Sequence, residues 1–364
     1  MDGVDERFMR RAIQLARRGW GWVSPNPMVG AVIVKGGEIV GEGYHRRFGG
    51  DHAEIEAIRR AGEEAKGATL YVNLEPCCHW GKTPPCVDAI LKAGIKRVVV
   101  ANSDPNPQVK GKGMKILRDG GVEVEEGVLS REGRRLNRAY FKWREEGMPF
   151  VTLKWAQSLD GRIATSEGDA RWISGERALR YAHLLRARND AVLVGAGTVI
   201  ADDPRLTVRL LKGKNPLRVV IDSRLRIPHE AHIFNDEATT LVATTSSANP
   251  ERLRELVAKG VEVMKVRDKG GRVDLREVLE ELARRGITSL LVEGGGEVIT
   301  SFLREGLVDY LVVIIAPLVM GKGKEAVGDL GVRKLKEAKG FSTVRVRRLG
   351  EDLIWEGERE ARGL

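Results

Sequence analysis

The chain has 364 residues, of which 42% are hydrophobic and 31% charged, with a formal net charge of +10. That length fits two domains with real cores, and nowhere does it hold the ~18 uninterrupted apolar residues of a membrane span. The charge divides evenly, +5 over residues 1–146 and +5 over 147–364, so it reads as a solvated surface able to steer an anionic ligand rather than as a nucleic-acid-binding tail.

In chain order, apolar positions at helical spacing (Phe8, Ala12, Leu15, Ala16) predict a helix over 6–18. "MVGAVIVKGGEIVGEGYH" predicts a hairpin turning at Lys35–Gly37. A helix over 52–61, the buried strand "ATLYVNL", a helix in "PPCVDAILKAG" and the strand "KRVVVA" follow. A helix (111–119), a strand (122–128) and a helix (130–144) close a three-layer α/β unit. "REEGMPF" marks a boundary, giving domains 1–146 and 147–364. Beyond it, strands are expected at 150–156, 191–195, 217–221, 239–244, 261–266, 288–293 and in "YLVVIIAPLV". Helices are expected at 175–187, 249–258, 274–285 and in "VITSFLREG".

All three cysteines lie in "LEPCCHWGKTPPC". With the acidic, polar opening "MDGVDERFMR" they fit a reducing cytoplasm, metal binding or thiol chemistry, and not a disulfide framework. His52 and Glu54 lie two apart at a helix start, and Cys77 and Cys86 follow at the ends of a strand and the start of a helix. One imidazole and two thiolates leave the fourth tetrahedral position of zinc free for water. A glutamate beside the metal that is not a ligand can move protons between that water and a leaving amine. H-x-E followed by P-C and a second cysteine is the pattern of nucleobase deaminases. A structural zinc with Cys78 or His79 as fourth ligand is the competing reading, and it predicts no open position. The eight residues between Cys77 and Cys86 depart from the short C-x-x-C form.

In the second half, "LVEGGGEVITSFL" is a strand, a glycine run and a helix whose free N–H groups suit phosphate. "VGAGTVIADDPRLTVR" and "KWAQSLDGRIA" put Thr198, Asp202, Asp203, Arg209 and Lys154 near strand ends. Judged by themselves, these residues indicate a phosphate-bearing ligand or a salt-bridged surface.

The segments "PNPMVGAVIVKGGEIVGEGYH", "HAE", "EPCCHWGKTPPC" and "DPNP", with "KWAQSLDGRIAT", "RWISG", "LLRAR", "GAGTVIADDPRLTVR", "VIDSRLRIP" and "VEGGG", closely resemble the bifunctional riboflavin-biosynthesis deaminase/reductase family. The resemblance implies a cytidine-deaminase-like N-terminal domain and a dihydrofolate-reductase-like C-terminal α/β domain. It implies zinc at His52, Cys77 and Cys86, Glu54 as proton shuttle, and Cys78 as a bystander. Asn26, His45, His79, Lys82 and Asp104 would line the pocket of a diaminopyrimidinone carrying a ribosylamino 5′-phosphate. In the reductase half, NADPH would meet Ala156, Trp172, Thr198, Asp202, Ser223 and the run Gly295, Gly296, Glu297, Val298, Ile299, Thr300 and Ser301. The sugar phosphate would meet Ala170, Arg186, Leu206, Arg209 and Glu293, with Lys154 and Asp202 nearest the chemistry. Position 170 can be serine in the family, so a contact at Ala170 would have to be through backbone. The family further implies a homodimer or homotetramer, and the clustered thiols, the evenly spread charge and the lack of a long apolar run lead to the expectation of a cytoplasmic protein with no nucleic-acid or membrane partner. A tRNA adenosine deaminase with an unrelated second domain and a non-enzymatic zinc scaffold are the other classes open to the sequence.

Overall fold

The computed structural model describes residues 3–360. The chain forms two compact units that divide between Gly147 and Met148.

The first unit runs α1 (Gly3–Ala16), β1 (Gly30–Lys35), β2 (Glu38–Tyr44), α2 (Ala53–Ala61), β3 (Thr69–Val72), α3 (Cys86–Lys92), β4 (Arg97–Val100), α4 (Lys112–Asp119), β5 (Glu123–Glu126), α5 (Ser130–Leu136) and α6 (Arg138–Glu146). Its sheet order is β2-β1-β3-β4-β5, with β1 antiparallel to both neighbours and β3, β4 and β5 parallel. Side chains alternate across a strand, so β1 sends Ala31 and Ile33 to one face and Val32 and Val34 to the other. The first pair packs with Ala53, Ala57, Val87, Ile90, Met114 and Leu117 of α2, α3 and α4. The second packs with Phe8, Met9, Ala12 and Leu15 of α1. Three layers result, with the helix starts of α2 and α3 on one face.

Gly36 and Gly37 turn the β1–β2 hairpin with φ of 58° and 86°, the paired left-handed residues of a two-residue loop whose twist matches the strands. The predicted helix over 130–144 is instead two helices. The break falls at Asn137, whose Oδ1 accepts from the Met28 N–H at 2.8 Å and whose Nδ2 donates to the Met28 carbonyl at 2.9 Å. Asn73 grips the same segment, donating to the Met28 carbonyl and accepting from the Gly30 N–H. These buried amides set the path of the 24–29 loop.

The second unit runs β6 (Phe150–Gln157), β7 (Arg162–Thr165), α7 (Glu176–Arg188), β8 (Ala191–Gly195), α8 (Ala196–Asp202), β9 (Leu217–Ile221), β10 (Thr240–Thr244), α9 (Pro250–Ala258), β11 (Glu262–Lys265), α10 (Leu275–Arg284), β12 (Ser289–Val292), α11 (Gly296–Arg304), β13 (Tyr310–Ile315), β14 (Gly323–Glu325), β15 (Phe341–Leu349) and β16 (Asp352–Arg359). The main sheet has the order β11-β10-β9-β8-β12-β6-β13-β16-β15. It is parallel from β11 to β13 and antiparallel through β16 and β15, while β14 pairs with β7 separately. Apolar clusters cover both faces of the parallel strands, as a parallel sheet requires. The register pairs Val292 with Leu153, which brings Glu293, just past the end of β12, level with Lys154 in the middle of β6.

The short helix α8, the β7–β14 pair and the hairpin β15–β16 are additions to the sequence reading. Strand β15 carries Arg345, Arg347 and Arg348 and shifts register between Thr343 and Arg345. Charge and irregularity of this kind are how an edge strand avoids pairing with another chain, and they erase the alternation that reveals a strand.

Strand β2 and helix α2 touch through glycine. A Cβ at Gly43 would lie 2.2 Å from the Ala53 carbonyl oxygen, so Gly43→Ala must push the start of α2 off the sheet. The expected loss is about 1–3 kcal/mol, as for other overpacked sites, read from the urea midpoint. Gly36→Asn, at a left-handed turn position open to solvent and suited to asparagine, should leave the midpoint nearly unchanged.

Candidate active sites

In the first unit, His52 is the residue at which α2 begins and Cys86 is the first residue of α3. Cys77 follows β3 in a loop. "PPC" explains the placement of Cys86, because the two prolines before it, the second at the N-cap, have no N–H to leave unpaired where α3 begins. His52 Nδ1 lies 3.2 Å from Cys86 Sγ and 3.4 Å from Cys77 Sγ. The Cys86 N–H donates to Cys77 Sγ at 3.3 Å. All three ligand atoms lie within 4.8 Å of one another. Accepting from the Cys86 thiol, and then from His52, holds the Cys77 thiol down to about 4 despite burial. The Cys77 hydrogen bond carries His52 up to about 9, and that bond and burial push Cys86 up. This is a site built to hold a thiolate. One nitrogen and two sulfurs converging on a point suit zinc.

Cys78 takes no part. It points away, its thiol donating to the Gln108 carbonyl, so the group of ligand atoms has three members among the described residues. The fourth position of the structural-zinc reading is not filled by Cys78.

Glu54 is 3% exposed. Its Oε2 has no hydrogen-bond partner, and burial raises its carboxyl above the usual range. An orphaned buried oxygen next to a metal-ligand cluster is costly unless a ligand completes it. His79 Nδ1 is likewise buried and unpartnered.

The remaining predicted residues have definite partners. His45 is buried, with Nδ1 2.9 Å from the Asp51 carbonyl oxygen and Nε2 3.2 Å from Asn26 Nδ2. The carbonyl can only accept, so Nδ1 carries the proton and Nε2 receives the Asn26 amide. Asp104 Oδ1 accepts from the Asn106 N–H and the Tyr140 hydroxyl. Lys82 is exposed, its ammonium 4.0 Å from the centre of the Phe48 ring.

Two residues unnoticed in the sequence organise this site. Glu75, 3% exposed, accepts from the Ser103 hydroxyl and from the N–H groups of Asp104, Gly111, Gly113 and Met114. It ties the loop carrying Asp104 to the start of α4. Thr83 Oγ1 lies 3.4 Å from His52 Nε2, behind the ligand nitrogen. A carboxylate that ends an apolar strand was the visible signal for Glu75; nothing local marks Thr83.

In the second unit Lys154 of β6, Arg186 and His183 of α7, Glu293 just after β12 and Arg209 of the loop that follows α8 come together. Arg186 and Glu293 form a two-pronged pair, Nε to Oε1 at 3.1 Å and Nη2 to Oε2 at 2.6 Å, with side chains 12% and 8% exposed. Burial works against the Glu293 carboxylate, but Arg186 and Lys154 win and hold it below the usual range. Burial lowers Lys154, opposed by Glu293. Arg209 is exposed, with Nη1 2.8 Å from Thr207 Oγ1.

The glycine run is a close-packed bend. A Cβ at Gly294 would lie 2.5 Å from Val298 Cβ, and Thr198 Oγ1 accepts from the Gly295 N–H at 3.0 Å. No side chain caps α11, so its first N–H groups are open to an anion. Glu297 is exposed and Ser301 half-exposed, while Ile299 belongs to the core and Thr300 donates to the Gly296 carbonyl. Asp202 ends α8 and its carbonyl accepts from Arg171. Trp172 is exposed, Ala170 half-buried, and Ala156 and Leu206 face a core cluster. The Ser223 carbonyl accepts from Thr244 and Thr245.

Comparison with known proteins gives a consistent result. Residues 149–355 match the "RibD C-terminal domain" family, and residues 3–102 match the "Cytidine and deoxycytidylate deaminase zinc-binding region". The riboflavin biosynthesis protein RibD of Aquifex aeolicus is 47% identical over 96% of this chain and 97% of its own, and that of Escherichia coli 42% over 96% and 98%. The crystal structure of the diaminohydroxyphosphoribosylaminopyrimidine deaminase/5-amino-6-(5-phosphoribosylamino)uracil reductase of Thermotoga maritima superposes with a TM-score of 0.86 at 39% identity, over 98% of this chain and 99% of that one. RibD of Acinetobacter baumannii gives a TM-score of 0.91 at 39% identity, with the same coverage.

The metal content checks the ligand set. Cys78→Ser should keep one zinc per chain by elemental analysis, and Cys86→Ser should lose it.

Proposed function

The chain belongs to the RibD family of riboflavin-biosynthesis proteins, bifunctional deaminase/reductases, and from that premise we propose how its residues share the two reactions. Residues 1–146 carry the deaminase and 147–364 the reductase. The observation that carries the first assignment is the His52–Cys77–Cys86 cluster beside the orphaned Glu54 oxygen.

His52, Cys77 and Cys86 would hold zinc. When bound, zinc supplies a Lewis acid that brings the pKa of a water down toward neutrality. Glu54 takes the proton of the attacking water and delivers protons to the departing nitrogen. The C–N bond to the exocyclic amine breaks, a C–O bond replaces it, and ammonia leaves. Asn26, fixed by His45, meets the pyrimidine edge with His79 and Asp104, and Lys82 meets the phosphate. The donor and acceptor inventory of these side chains suits those partners.

In the second unit the uncapped start of α11, from Gly295 to Ser301, would hold the phosphates of NADPH, and Ala156, Trp172, Thr198, Asp202 and Ser223 would hold the rest of the cofactor, which when bound would supply a hydride. Arg186, Arg209, Glu293, Leu206 and Ala170 receive the sugar phosphate. Hydride adds to C1′ as its bond to the ring oxygen opens, and that oxygen takes a proton, leaving a ribityl chain. Lys154 and Asp202 are the groups assigned to this proton. Lowering of the Lys154 ammonium by burial supports its choice.

The reading extends to a cytoplasmic homo-oligomer that binds a phosphorylated pyrimidine and no nucleic acid. Three free thiols support a reducing compartment. Among the described residues no helix is long and apolar enough to cross a membrane. Similarity along 96% of the chain to two-activity relatives weighs against a tRNA deaminase joined to an unrelated domain.

A coupled assay separates the two steps by following ammonia release and NADPH oxidation. Glu54→Gln should lower ammonia release by at least about a hundredfold, the scale of general acid–base catalysis, and still oxidise NADPH when given deaminated substrate. Lys154→Ala should do the reverse. Loss of both steps in a folded single variant would refute the division.

A further inference from the structure

Among the buried titratable side chains to which the mechanism gives no task, His183 lies beside the residues assigned to the sugar phosphate. His183 lies on α7, three residues before Arg186, and so on the same helix face. It is 1% exposed. Its Nδ1 accepts from the Arg209 N–H at 3.0 Å. The same short loop is held at two further points. The Val208 N–H donates to Asn215 Oδ1 at 2.7 Å, and Thr207, itself buried, receives the Arg209 guanidinium. Leu206, just before, has a φ of 53°, a left-handed value that a leucine keeps only where its surroundings impose it.

We propose that His183 is a positioning residue for reduction. As a neutral acceptor it anchors the backbone at Arg209, so that the exposed guanidinium of Arg209 is presented beside Arg186 to the substrate's anionic group. The chemistry agrees. An imidazole that accepts at Nδ1 must carry its single proton on Nε2. Burial, with Arg186 and Arg209 nearby, keeps the ring neutral, down to about 4. A protonated ring would offer a second donor to the Arg209 N–H and would crowd a third cation against two arginines. The residue types follow: a main-chain N–H buried under cations needs an uncharged acceptor, because a carboxylate there would pair with Arg186 and compete with Glu293.

This inference rests on the assignment of Arg209 to the substrate anion, and the test separates the two. Reduction of the deaminated substrate is measured by NADPH oxidation in His183→Leu, His183→Asn, Arg209→Gln and the His183→Leu/Arg209→Gln pair. The circular dichroism spectrum and the thermal unfolding profile serve as the folding control. His183→Leu should raise KM for the deaminated substrate about tenfold with kcat within about twofold, the pattern of lost binding rather than lost chemistry. His183→Asn, whose side-chain oxygen can take the place of Nδ1, should restore KM to within about threefold. In the Arg209→Gln background, His183→Leu should raise KM no further, since coupled residues do not add. Should His183→Leu not fold, His183→Ser, too short to reach the N–H, takes its place. An unchanged KM in His183→Leu, an asparagine as impaired as leucine, or full additivity in the double variant would overturn the proposal while leaving Arg209 in its role. An unchanged KM in Arg209→Gln would overturn that role and the proposal with it.

Discussion

A half-buried thiolate must be neutralised or hydrogen-bonded, and the first unit is arranged around meeting that demand for Cys77. The Cys86 N–H, at the first residue of α3, points at Cys77 Sγ, and His52 Nδ1 approaches from the start of α2. Two helices must therefore begin at one point in space, and the sheet decides where they begin. Gly43 lets α2 lie against β2 closely enough that any side chain would collide. The strand β3 delivers Cys77, and the prolines before Cys86 start α3. Charge, helix polarity and ligand chemistry all favour an anionic sulfur there.

The second unit solves a different electrostatic problem. It collects cations around the residue that follows β12, but buried like charges repel. Glu293 answers this by engaging Arg186 through both oxygens; burial, opposed by Glu293, lowers the Lys154 ammonium, and Arg209 faces outward. A buried pair of this sort contributes less to stability than to fixing where each group points. The pairing also follows from register. Glu293 and Lys154 come level because β12 and β6 pair in parallel from Ser289 and Phe150 onward.

What could be read beforehand depended on how local each cause is. Zinc ligands are few in kind, so His52, Cys77 and Cys86 stood out by type and spacing, and the structure brings them together. Short apolar runs on either side of a glycine pair revealed β1, β2 and their turn. Roles that arise only when distant segments meet left no trace. Asn137 breaks a helix because Met28, over a hundred positions earlier, offers its backbone. His183 sits in an ordinary helical pattern between Ala182 and Leu185. The segment 196–202 reads as a strand-end loop until Gly195 starts a helix, and the arginines of β15 mask a strand. Family likeness supplied most of the second site; the residues alone pointed no further than a phosphate-bearing ligand.

Glu75 carries a consequence for how the protein responds to its medium. Its two oxygens are met by one hydroxyl and four backbone N–H groups, all uncharged, so dipoles rather than a counter-ion balance the anion. Mobile ions weaken attraction between exposed charges over roughly 8–10 Å at physiological strength, but they have little purchase on buried, short-range dipoles. The loop that carries Asp104 is thus fastened by a tether indifferent to ionic strength, while the fields of the exposed Lys82 ammonium and Arg209 guanidinium reach out through solvent that salt readily screens. Attraction of an anion to those two cations would weaken in brine without that loop moving.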